Sequence, residues 1–86
     1  MLQEYFGAEC PHCLSMVPLV EQLEKELGVT VEKYEVWHND ANREKIKQVE
    51  EFKTCGGVPF FINTKTRKTI CGDTSYEELK AWAEGK

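Results

Sequence analysis

The chain has no long apolar run. Its hydrophobic stretches fall well short of the roughly 20 residues that a membrane-spanning helix needs, so no membrane association is expected. It has no basic excess either. Eleven Lys and Arg stand against 15 Asp and Glu, a net charge of −4, which argues against nucleic acid as the main partner. Repeats, linkers and low-complexity segments are missing, so the 86 residues are expected to form one domain, 1–86, with a modest core. No basic stretch followed by an apolar segment and a small-residue cleavage site opens the sequence. With Met1 as the start, the expected location is cytoplasmic. A second close cysteine pair is also missing: of Cys10, Cys13, Cys55 and Cys71, only the first two are neighbours. A structural zinc site usually takes four ligands from two close pairs.

What is present centres on Cys10-Pro11-His12-Cys13, between a short apolar run and a long helical pattern. If Cys10 immediately precedes the helix and Pro11 is its first residue, the free N–H groups of the first turn point at the Cys10 sulfur. Their partial positive charge favours thiolate over thiol. Thiolate is the attacking form in thiol–disulfide exchange. Cys13, one turn on, is placed to resolve a mixed disulfide.

In chain order, Leu2–Phe6 reads as a short buried strand, with Glu4 an anomaly in it. Pro11–Leu27 reads as a helix with Leu14, Val17, Val20 and Leu23 inward, widened by Met16 and Leu27. Gly28 should stop it and Pro18 should kink it. Val29–Trp37 is β-rich. Asn39 or Asp40 caps a helix from Ala41 to about Lys53, with Ile46, Val49 and Phe52 inward. Cys55-Gly56-Gly57 ends it. Val58–Ile62 is a strand opening on Pro59, and residues 63–68 turn the chain into a return strand at Thr69, Ile70 and Cys71. Ser75 and Glu78 form a capping box for a last helix with Tyr76, Leu79, Trp82 and Ala83 inward. The fold class is therefore α/β, in the order β-α-β-α-β-β-α, with a four-stranded mixed sheet flanked by helices.

This pattern resembles the thioredoxin superfamily over nearly the whole chain. The matching features are Cys10-x-x-Cys13 opening the first helix, Pro18 five residues after Cys13, Gly57-Val58-Pro59 like the family's cis-proline loop, and the minimal order of strands and helices. The resemblance implies a cis Pro59 packed against the redox pair, with Val58 offering its backbone to an extended substrate strand. The short length is glutaredoxin-like, and Cys-Pro-His-Cys is similar to the tetrapeptide of DsbA-type oxidases. Glu4-Tyr5-Phe6 is DsbA-like too, without that group's helical insertion. Gly7 stands where glutaredoxins place a basic residue, and Cys71-Gly72-Asp73-Thr74 carries only part of their pattern before the last helix. The resemblance therefore implies no cofactor beyond the redox-active disulfide, though Asp73 could hold the amino group of glutathione.

The expected activity is thiol–disulfide oxidoreductase, acting on protein or small-thiol disulfides as a monomer, with a recycling reductase or oxidase as partner. Cys10 attacks, Cys13 resolves, and Pro11 opens the helix. His12 adds positive charge or a donor near Cys10. Glu4, if buried beneath the pair rather than facing water at a sheet edge, takes the Cys13 proton. Gly57, Val58, Pro59 and Asp73 contact substrate. Cys55 and Cys71 are expected as small buried hydrophobes, with a second disulfide or a regulatory thiol as the alternative. The rival functional readings are a zinc, copper or iron–sulfur site at Cys10 and Cys13, and a non-catalytic interaction module. His38 and the basic residues Lys65, Arg67 and Lys68 read as solvated surface.

Overall fold

A computed structural model describes all residues, Met1–Lys86. Four strands, β1 (Leu2–Phe6), β2 (Val31–Glu35), β3 (Phe60–Asn63) and β4 (Lys68–Cys71), form one sheet in the order β2-β1-β3-β4. β1 pairs in parallel with β2 and antiparallel with β3, and β3 pairs antiparallel with β4. The parallel pair is joined by α1 (Pro11–Leu27), because parallel neighbours need a crossover.

Alternation along the central strands sends side chains to two helical layers. Leu2 and Phe61 face α1 and α4 (Tyr76–Glu84), where Met16, Val20, Leu23, Leu79 and Trp82 complete a buried cluster. Tyr5, Phe60 and Ile62 face the opposite side, packed with Val36 and Ile46. Asn39 accepts the Asn42 N–H and Gly28 ends α1 at φ 66°, while at α4 Ser75 accepts the Glu78 N–H but the Glu78 carboxylate takes the Thr74 hydroxyl rather than completing the capping box. α1 runs continuously through Pro18.

The structure corrects several expectations. The helix expected over Ala41–Lys53 is two pieces, α2 (Asp40–Lys47) and α3 (Phe52–Cys55). Between them the Gln48, Val49 and Phe52 amides bond three residues back, to Lys45, Ile46 and Val49. Ile46, Val49 and Phe52 are spaced by three, so three residues per turn brings all of them toward the core where 3.6 would not. On α1 the inward set is Cys13, Met16, Val20 and Leu23, while Leu14 and Val17 are 56% and 45% exposed. Tyr76 does pack against the first cluster, at its edge, with its hydroxyl donating to Glu26. The regular part of β2 is shorter than Val29–Trp37, and β3 starts at Phe60 rather than Val58. Cys55 and Cys71 are not free core residues: they are joined in a disulfide, and Cys71 is exposed. The hairpin brings Cys71 opposite Phe60, at the same end of the sheet where α3 finishes. No helix is long and apolar enough to cross a membrane.

Candidate active site

β1 ends in the loop Gly7-Ala8-Glu9, which delivers Cys10 to the start of α1. Cys10 is the N-cap, with its N–H on the Gly7 carbonyl at 3.1 Å. The Cys13 backbone N–H donates to the Cys10 sulfur at 3.2 Å. Pro11, lacking an N–H, leaves no donor idle at the first helical position. Cys10 and Cys13 are both free and both buried, 4% and 2% exposed.

The loop is anchored from β2. The Glu35 carboxylate accepts the backbone N–H groups of Ala8, Trp37 and His38 at 2.8–3.0 Å. Desolvation opposes its charge, but these three donors prevail and hold Glu35 below its ordinary value. His38 pairs with Glu9 at 2.7 Å, and the hydrogen bond to Glu9 raises its proton affinity. The Trp37 ring lies directly on the Gly7 backbone: a Cβ added at Gly7 would sit 2.2 Å from an indole carbon. Glu9, Glu35 and Trp37 were not picked out as site residues from sequence. An aromatic just after a strand was visible there, but nothing in the linear pattern places it over Gly7.

Beneath the pair lies Glu4. β1 is a central strand, and Glu4 is 4% exposed rather than facing water at an edge. It lines a cavity of about 260 Å³ together with Cys13, Phe6, Leu14, Val17 and Lys33. Desolvation raises the Glu4 carboxyl from 4.5 to about 7, with Lys33 opposing and Glu24 adding to the shift. Lys33 is the parallel-strand partner of Glu4, but its ammonium is drawn away to Glu24 (3.0 Å) and the Val31 carbonyl (3.1 Å). Burial likewise pushes the Cys13 thiol up to about 12, with the Cys10 thiol as the next cause.

On the other side of Cys10 stands Val58, at the end of the Gly56–Pro59 loop. The Val58–Pro59 bond is cis. The Val58 carbonyl is the acceptor nearest the Cys10 thiol, with S···O 3.9 Å, and the Pro59 carbonyl takes the Gly72 N–H at 2.8 Å. On the third side, Nδ1 of His12 lies 2.9 Å from Oδ2 of Asp73, both well exposed. The N–H directed at the Cys10 sulfur is therefore the Cys13 amide, while the His12 ring is engaged with Asp73.

The chain has the thioredoxin fold. A glutaredoxin of known crystal structure from Archaeoglobus fulgidus superposes on it with a TM-score of 0.67. The match is at 22% sequence identity and covers 98% of this chain and 86% of that one. No family model matches the sequence, and no curated protein matches it. On this thioredoxin fold, Cys10, Cys13, Glu4, Val58 and Pro59 converge at one end of the sheet. Asp73 and His12 sit at the rim, and Gly57 lies beside Val58 in the loop. Nowhere do three or more His, Cys, Asp or Glu side chains group so that they could hold a metal ion, so the metal reading has no donor set within this chain.

Proposed function

We propose that the protein is a thiol–disulfide oxidoreductase working through the Cys10–Cys13 pair. The observation that carries this reading is the juxtaposition of two free cysteines, one capping α1, with the Val58 carbonyl and with a buried carboxyl whose proton affinity suits general base work near pH 7.

The Cys10 thiolate attacks one sulfur of a substrate disulfide. A Cys10–substrate disulfide forms and the other substrate sulfur leaves as thiolate. The Cys13 thiol, too weakly acidic to ionise alone near neutral pH, passes its proton to the Glu4 carboxylate. It then attacks the Cys10 sulfur and expels the second substrate thiolate. The substrate gains two electrons and the protein is left with a Cys10–Cys13 disulfide. Run backwards, the same steps oxidise a substrate dithiol. Val58 supplies the backbone edge on which an extended segment around the substrate cysteine pairs. Protein and small-molecule disulfides are the proposed substrates, with a separate dithiol or disulfide partner restoring the starting state. Cytoplasmic location and a monomeric state belong to the same reading. The similar structure bears the name glutaredoxin, which favours small-thiol disulfides among the substrates. Against that, Asp73 is already paired with His12.

Single-turnover reduction of a disulfide peptide tests the reading. Cys13→Ser should accumulate a trapped adduct on Cys10, and Cys10→Ser should form none. In Glu4→Gln, adduct formation should persist while its resolution slows by about 100-fold. Absence of any Cys10 adduct overturns the proposal.

A further inference from the structure

A disulfide joins Cys55, the last residue of α3, to Cys71, the last residue of β4, with the Cα atoms 5.6 Å apart. It lies outside the core: Cys71 is exposed and Cys55 only partly buried. A thiol in solution therefore reaches the bridge from the Cys71 side.

The bridge also governs one end of the loop that faces Cys10. Between Cys55 and Val58 stand Gly56 and Gly57, and a Cβ added at either would meet no atom within 4 Å. That stretch has no side-chain packing of its own, and glycine leaves it the widest backbone freedom. Apart from the bond that ends α3, Gly56 N–H to the Phe52 carbonyl at 2.8 Å, its position is set by its ends. At one end, the carbonyl of buried Pro59 accepts the Gly72 N–H at 2.8 Å. At the other, Cys55 is bonded to Cys71. Two consecutive residues, Cys71 and Gly72, thus grip both ends of the segment that presents the Val58 carbonyl to Cys10. α3 has a separate attachment to the same hairpin: Arg67 donates two hydrogen bonds to the Glu51 carboxylate, just before α3 begins. Opening the bridge would leave that end held only through α3 and the Gly56–Phe52 bond, with no direct tie to β4.

We propose that Cys55–Cys71 is a second thiol–disulfide site, and that its state sets how firmly Gly56–Pro59 is held against Cys10. A thiolate attacks the Cys71 sulfur. A mixed disulfide forms as the Cys55–Cys71 bond breaks, and Cys55 leaves as a thiolate that takes a proton from water. A second thiol then displaces Cys71. Two electrons pass from a dithiol, or from two monothiols, which leave as their own disulfide, and the protein gains two thiols. With the bridge open, the docking edge is no longer held in advance of binding, so substrate affinity falls more than the chemical step. The effect on docking rests on the redox activity proposed above; the reducibility of the bridge does not.

The test begins with the Cys10→Ser/Cys13→Ser protein, in which only this bridge can be reduced. It is treated with graded dithiothreitol, alkylated, and analysed by peptide mass spectrometry and amide hydrogen exchange. Both Cys55 and Cys71 should become alkylated while amides of α1 and β1 stay protected. Exchange at Gly56–Val58 should quicken by about tenfold or more. In a Cys55→Ser/Cys71→Ser protein with the Cys10–Cys13 pair intact, KM for a disulfide peptide should rise about three- to tenfold, with kcat within about twofold. Alkylation that appears only with global loss of protection overturns the proposal. So does reduction that leaves exchange at Gly56–Val58 unchanged, or an unchanged KM. Loosening of the loop in a protein whose Cys10 exchanges with no disulfide would support the second site and remove the activity proposed for the first.

Discussion

Nδ1 of His12 and Oδ2 of Asp73 meet at 2.9 Å across the mouth of the cysteine pair, tying the first turn of α1 to the segment between β4 and α4. Both partners are more than half exposed. Water and salt screen such a pair, so it contributes at most about 1 kcal/mol to stability. His12→Ala and Asp73→Asn should each move the urea midpoint only slightly. Their effect belongs in selectivity. Freeing the Asp73 carboxylate in His12→Ala should favour cationic over anionic small disulfides, and Asp73→Asn should not. Reduction rates of cystamine and of an acidic analogue, compared at low salt, check this.

Glu4 makes stability depend on pH. Its folded-state value, about 7, lies above the ordinary 4.5, because burial disfavours the carboxylate. The protonated form is therefore the one the fold prefers. The associated stability is fully present below about pH 4.5 and is lost as pH rises through 7. At pH 8 the charged Glu4 should cost up to roughly 3 kcal/mol, so Glu4→Gln should be the more stable protein there and near parity at pH 4. Urea denaturation of both proteins across that range gives the answer. Lys33→Met should shift the transition upward, since Lys33 opposes the effect of burial.

Gly7→Ala should be costly for a reason confined to one contact. The new methyl would occupy space held by the Trp37 indole. Either the loop before Cys10 or the indole must move. Trp37 is already 44% exposed, so the ring should swing outward. We expect a loss of about 1–3 kcal/mol and a red-shifted tryptophan emission, with Trp82 buried and unchanged as the internal reference.

The Cys55–Cys71 bridge closes a loop with a sequence separation of 16. Constraint of the unfolded chain by a loop of that size corresponds to roughly 3 kcal/mol. Cys55→Ser/Cys71→Ser should lose about that much in guanidinium denaturation and remain folded at 25 °C. A loss near zero would mean that the native state carries offsetting strain.

Much of the molecule was legible in the linear sequence because local chemistry sets it. Cys10 and Pro11 announce the start of α1, Gly28 its end, and Ser75 with Glu78 the start of α4. The apolar run Phe60-Phe61-Ile62 supplies side chains to both buried faces of β3, one of the two central strands. The order of elements then left few topologies, since parallel strands need a crossover and antiparallel ones a tight turn.

Other features depend on distance through space. Whether Glu4 was an edge carboxylate or a buried one turned on β1 lying between β2 and β3. The outward turn of Leu14 and Val17 followed from where α1 sits against the sheet, since helical spacing alone defines a face but not its neighbour. Trp37 over Gly7, Asp73 beside His12, and Cys55 bonded to Cys71 each join residues that no local pattern relates. Residue types and spacing thus determined the order of strands and helices and the reactive pair. The proton affinity of the buried groups, and the contacts that hold the pair's surroundings, were decided by tertiary packing, because burial and long-range proximity exist only once the chain has closed on itself.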